Sequence, residues 1–213
     1  MNFPNLIVAN GEKPTHPEVV RLLQQARHII CCDGAVRHLK SLGIQPTAIV
    51  GDGDSLLPED QLEYAALYTP DASTEYNDLT KAFNLCQKLG LDDIAVVGAC
   101  GLREDHTLAN LSLLVKHARQ FHAVMYTNYG IFTPIFHTTE FLSRKGQQVS
   151  IFSFTPATPL TFHGLRYPVR ERCFREFWEG SLNEAEGECF TIELHSSGEI
   201  LVYQTFENKE NQL

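Results

Sequence analysis

Ala48-Ile49-Val50-Gly51-Asp52-Gly53-Asp54-Ser55 joins a short apolar, β-branched run to a turn holding two carboxylates and two glycines. A brief apolar run bounded by such a turn reads as a buried strand. Similar runs lie at residues 6–9, 28–32, 94–97 and 123–126, and amphipathic stretches at 17–26, 36–42, 79–89 and 108–118 carry apolar residues at three- and four-residue spacing. Strands that alternate with helices predict βαβ units and a mostly parallel sheet, an α/β fold whose ligands gather at the carboxyl ends of the strands. The acid turn at 51–55 falls at such an end.

From about Gln147 the pattern changes to alternating segments at 149–154, 189–194 and 200–205, with the turn Ser196-Ser197-Gly198. The last third therefore predicts a smaller antiparallel β domain. The expected division is an α/β domain over residues 1–142 and a β domain over 147–213, joined by the polar stretch 143–146. Disorder is expected only at the polar end, 207–213.

The chain has 213 residues, 43% hydrophobic and 20% charged, with a formal net charge of -9. That sign argues against a general nucleic-acid surface, which needs clustered Lys and Arg. The longest uncharged run, 123–139, contains Asn128, Gly130, Pro134 and His137, which suits no membrane span. No secretory leader is read at the start, so a cytoplasmic location is expected by default. Six cysteines without a CxxC pair are expected to be reduced and structural.

Four turns carry chemistry. In Gly51-Asp52-Gly53-Asp54-Ser55, two carboxylates separated by a residue without a side chain suit one hard cation, magnesium best; a polar turn shaped by glycine is the alternative. Asp78 opens a helical pattern, where an acid commonly only caps the helix, yet its place puts it and Lys81 on the same rim. Gly98-Ala99-Cys100-Gly101-Leu102-Arg103-Glu104-Asp105-His106 is a strand-to-helix turn whose backbone N–H groups and Arg103 suit a phosphate; a structural loop with a capping acid is its alternative. Cys32-Asp33-Gly34-Ala35, followed by Arg37, is weak alone. Neither a P-loop nor the Gly-rich dinucleotide signature is present. The nine histidines form no zinc pattern, and only His106 falls in a candidate turn.

Taken in order, Asp33-Gly34-Ala35, Gly51 to Ser55, Thr74 to Ala82, and Gly101 to His106 with Leu108-Ala109-Asn110 resemble the thiamine pyrophosphokinase family over nearly the whole chain. The resemblance implies an N-terminal three-layer α/β catalytic domain, a C-terminal β-sandwich, and a homodimer holding thiamine between protomers. It implies transfer of the diphosphoryl group of ATP to the thiamine hydroxyl, releasing AMP. By matching position it implies magnesium on Asp52, Asp54 and Asp78, phosphate on Arg103, and Asp105 as a further catalytic or orienting acid. Asp33, Gly34, Ala35, Arg37, Ser55, Lys81, Gly101 and His106 would complete the nucleotide side. Phe162 to Pro168 and Gly180-Ser181-Leu182-Asn183-Glu184 resemble the family's thiamine-binding stretches, which makes Ser181 and Asn183 candidate contacts and Trp178 a candidate aromatic platform. The chain departs from the family pattern at Thr74, Glu75, Asn77, Leu102 and Leu182. A metal-dependent nucleotide pyrophosphohydrolase, with water in place of the alcohol, and a non-catalytic thiamine- or nucleotide-binding protein are the competing classes.

Overall fold

A computed structural model describes residues 3–208. The chain divides between Asn128 and Tyr129 into two compact units. In the first, the order is β1 (Asn5–Val8), α1 (Pro17–Gln25), β2 (His28–Cys32), α2 (Val36–Ser41), β3 (Ala48–Gly51), α3 (Pro58–Glu63), β4 (Tyr68–Pro70), α4 (Asp78–Lys88), β5 (Ile94–Val97), α5 (Glu104–His117) and β6 (Ala123–Tyr126). The six strands pair in the order β6-β5-β1-β2-β3-β4, every pair parallel. β1, β5 and β6 are buried throughout, as continuous apolar strands covered on both faces must be.

Local chemistry sets the helix starts. Pro17 opens α1, and the His16 ring accepts from the Glu18 N–H; Asn77 Oδ1 caps α4 by accepting from Thr80 N–H at 3.0 Å. Helix α1 buries Val19, Leu22 and Leu23, and α4 buries Leu79, Ala82, Phe83 and Cys86, the apolar stripes that the spacing predicts. The strand order runs outward from β1 through β2, β3 and β4, then returns to the other side of β1 with β5 and β6. The chain thus reverses direction across the sheet between β1 and β5, and such a reversal opens a crevice over the strand ends.

The second unit comprises β7 (Gly130–Ile135), β8 (Thr139–Leu142), β9 (Gln147–Ser153), β10 (Pro159–His163), β11 (Arg172–Cys173), β12 (Asn183–Glu184), β13 (Cys189–Leu194) and β14 (Ile200–Asn208). Its antiparallel strands form two layers, β12-β9-β14-β7 and β11-β10-β13-β8. Val149, Ile151, Ile200 and Val202 of one layer share a core with Phe141, Leu160, Phe162, Phe190 and Ile192 of the other, which makes the unit a β-sandwich.

Two expectations are corrected. The boundary lies at 128/129, not at 142/147, because β8 pairs with β13 and β7 with β14. The stretch 143–146 is a turn within the sandwich: Ser143 N–H donates to Glu188 O and Gly146 N–H to Ala185 O. Of the expected polar end, Glu207 and Asn208 continue β14, and 209–213 lie outside the described residues. No helix among the described residues is long and apolar enough to cross a membrane. The cysteines are free; Cys31, Cys32 and Cys86 are buried, whereas Cys173 and Cys189 are exposed.

Candidate active site

Strand β3 delivers the acid turn to the carboxyl edge of the first unit's sheet, beside the turn that follows β2. Asp33 is nearly fully buried there and lies flat on Gly51: a Cβ on Gly51 would fall 2.1 Å from Asp33 Oδ1. Only glycine admits that approach. The other Asp33 oxygen, Oδ2, accepts from Gly53 N–H at 3.0 Å, while Oδ1 is buried without a hydrogen-bond partner. One carboxylate oxygen each from Asp33, Asp52 and Asp54 fall within 4.8 Å of one another. Burial, followed by the charges of Asp78 and Asp52, pushes the Asp33 carboxyl up to about 6 against a hydrogen bond from Gly53 that favours its ionised form. Asp52 moves the other way, chiefly because its carboxylate accepts from Asp54 N–H at 3.1 Å.

Three hard oxygen donors, one carrying a buried lone pair with no partner, fit a divalent cation by both chemistry and charge. Asp78 lies outside this closest set. Its carboxylate meets the Lys81 ammonium at 3.2 Å, and the Lys81 side chain is only 2% exposed. Burial disfavours that ammonium, but the Asp78 hydrogen bond and the charges of Asp78, Asp52 and Asp71 outweigh it and raise its pKa. Lys81 therefore faces acids within the protein, where its sequence position suggests a phosphate.

A cleft of about 280 Å³ opens over the ends of β1, β2 and β5, lined among others by Cys32, Ser55, Asp78, Gly101, Arg103 and His106. These are mostly residues that the sequence singles out. Asn10, Gly11, Asn77 and Asn110 line it as well, and the sequence reading misses them as ligand contacts. The Asn-Gly pair closing the first apolar run is the available signal for two of them. Gly34 and Ala35 are buried beneath the turn, and Arg37 lines a separate hollow with Lys40 and Asp60. Arg103 and Asp105, both exposed, form a two-pronged pair: Nε donates to Oδ1 at 3.1 Å and Nη2 to Oδ2 at 2.5 Å. The hydrogen bond from Arg103 holds the Asp105 carboxyl below its ordinary range.

In the second unit, Asn183 is buried and its amide is fully engaged. It accepts from Tyr167 N–H at 3.0 Å and donates to Tyr167 O at 2.9 Å, locking two loops together. Ser181 Oγ donates to Trp178 O at 2.7 Å, while Trp178 and Leu182 stand out into solvent. Asn183 is thus built to hold the turn, and Trp178 to present a surface.

Leu102 and Leu182, two of the departures from the family pattern, both adopt left-handed backbone, φ 66° and 58°. A side chain in that region costs about 1–2 kcal/mol, offset in part by the extra freedom glycine has when unfolded. Leu102→Gly is expected to stabilise the protein by about 0.5–1 kcal/mol, measured by urea unfolding. Unchanged or lowered stability would contradict the strain.

Fold and site together define a class: an α/β protein with a carboxylate cluster and cleft over a parallel sheet, followed by a β-sandwich. Two family models match in succession, the thiamin pyrophosphokinase catalytic domain over residues 19–126 and its substrate-binding domain over 130–203. The chain belongs to the thiamin pyrophosphokinase family. It is 28% identical over 171 residues to the thiamine pyrophosphokinase of Bacillus subtilis, covering 76% of this chain and 80% of that protein. The crystal structure of thiamine pyrophosphokinase from Bacillus subtilis shares the fold with a TM-score of 0.82 at 21% identity, over 94% of this chain and 98% of that one. The enzyme from Candida albicans does so at 0.79 and 18%, over 95% and 90%.

Proposed function

We propose that the protein transfers the diphosphoryl group of ATP to the hydroxyl of thiamine, giving thiamine diphosphate and AMP. Family membership over both units supports the reaction, and the convergence of Asp33, Asp52 and Asp54 supports the way it is carried out. Asp52 and Asp54, with Asp33 and the neighbouring Asp78, would hold magnesium. When bound, the cation supplies positive charge that offsets the phosphates and the charge developing on the leaving oxygen. The thiamine oxygen bonds to the β-phosphorus as its hydroxyl proton passes to water, the bond from that phosphorus to the α–β bridging oxygen breaks, and AMP leaves with that oxygen.

The chain's own groups bind and orient. Arg103 presents guanidinium N–H donors at the cleft, and Asp105 holds its fork in place. Asp105, so engaged and with a lowered pKa, is suited to orienting Arg103 rather than to taking the hydroxyl proton. Lys81 balances the acids from within. A homodimer belongs to the same reading: exposed Leu102 and Leu108 in the first unit and Trp178 and Leu182 in the second are surfaces that a second copy would cover.

Mass spectrometry of the products from thiamine, ATP and magnesium tests the reaction. Thiamine diphosphate and AMP in equal amounts are expected. AMP released at the same rate without thiamine would replace transfer by hydrolysis, and thiamine binding with no ATP consumed would leave only a binding protein.

A further inference from the structure

The acid turn is also clamped from the side of edge strand β4. Tyr68, on edge strand β4 opposite Ile49, donates its hydroxyl to Gly51 O at 3.0 Å, and the same carbonyl accepts from Asp71 N–H at 2.8 Å. The hydroxyl also rests on Gly53, whose backbone is left-handed (φ 86°): a Cβ there would sit 2.8 Å from Tyr68 Oη. Asp33 grips the turn elsewhere, packed on Gly51 and bonded to Gly53 N–H. Gln61 Nε2 adds a bond to Leu56 O at 3.2 Å just beyond it.

Glycines on both sides of Asp52 give this segment backbone freedom to lose when a ligand orders it. A turn ordered only by its ligand binds that ligand more weakly, because the ordering cost is met at binding. We propose that Tyr68 is a positioning residue for the divalent cation: its hydroxyl fixes the backbone of Gly51 and Gly53, so that the carboxylates of Asp52 and Asp54 are held converged before any ion arrives. The inference rests on the reading of those two acids as cation ligands. It does not depend on which phosphate transfer they serve.

The test uses the full chain without nucleotide and Mn2+ as probe, read by electron paramagnetic resonance. Tyr68→Phe is expected to bind Mn2+ about fivefold to tenfold more weakly, the loss of one preorganising hydrogen bond. Its unfolding midpoint in chelator should stay close to wild type, because Gly51 O keeps the Asp71 N–H. Turnover is expected to recover at high magnesium with the KM for thiamine unchanged. Unaltered Mn2+ affinity overturns the proposal, whatever happens to the midpoint, since a merely structural tyrosine would move only the latter. If Tyr68→Phe does not fold, Gly53→Ala presses a methyl group onto the same hydroxyl, and undiminished Mn2+ binding in that variant overturns it equally. A wild-type chain that binds Mn2+ but makes no thiamine diphosphate would remove the proposed function and leave the Tyr68 inference standing. Absence of Mn2+ binding in the wild type would remove the inference itself.

Discussion

Asp54→Asn is expected to lower kcat by roughly 10²- to 10³-fold, the scale on which removal of one preorganised charge-stabilising group acts. Asp54 is exposed on the turn after β3. Its side chain accepts only from Ser55 Oγ, at 2.9 Å among the described residues, and an amide oxygen can take that bond over. The turn's other internal bond, Asp54 N–H to Asp52, involves the backbone and survives the change. Stability should therefore stay within about 0.5 kcal/mol of wild type. Steady-state kinetics over a magnesium series, with urea unfolding in parallel, separate the two effects. Near-normal turnover at ordinary magnesium would remove Asp54 from the cation site.

Strands β1, β2, β3, β5 and β6 are legible in the sequence to within a residue or so, because a buried parallel strand must be continuously apolar and each is flanked by an amphipathic helix. Strand β4 is not. It has three residues, ends in Pro70 and is mostly exposed, so it carries neither period nor apolar run. With it goes Tyr68, whose contribution is one hydroxyl aimed at another segment's carbonyl. Strand β7 hides behind Pro134, and the polar turn 143–146 looks like a linker although it joins two strands of one sandwich.

Asp52 and Asp54 are legible as a pair suited to one cation, but Asp33 is not legible as their neighbour. Asp33 reads as part of a nucleotide turn, and its approach to Asp52 and Asp54 depends on the missing Cβ of Gly51, a contact across parallel strands that no local pattern encodes. Lys81 shows the converse. Its place on the rim with Asp52 and Asp54 suggests a phosphate, yet the ammonium of this buried side chain meets Asp78. Asn183 likewise reads as a ligand contact, but both ends of its amide are spent on the backbone of Tyr167.

Asp33→Asn is expected to act in opposite directions with and without a divalent cation. In chelator the buried carboxylate is a cost. A carboxyl raised from 3.8 to about 6 has its charged form disfavoured by about 3 kcal/mol in the folded protein. Because the folded-state value lies above the unfolded one, that cost is fully present above about pH 6 and fades as pH falls toward 3.8. Asparagine keeps an oxygen for Gly53 N–H and turns an N–H toward the acids in place of the unpartnered oxygen. In chelator at about pH 8 the variant should therefore be more stable than wild type, by at most about 3 kcal/mol, and the gap should close near about pH 4. Magnesium should reverse the order: wild type gains stability by binding the ion, and the variant, lacking one of three converging carboxylates, gains far less. Thermal unfolding at about pH 4 and about pH 8, with chelator or with magnesium, gives the four comparisons. A variant less stable than wild type in chelator at the higher pH, or one with the full magnesium response, would show that Asp33 holds the turn together without serving the cation.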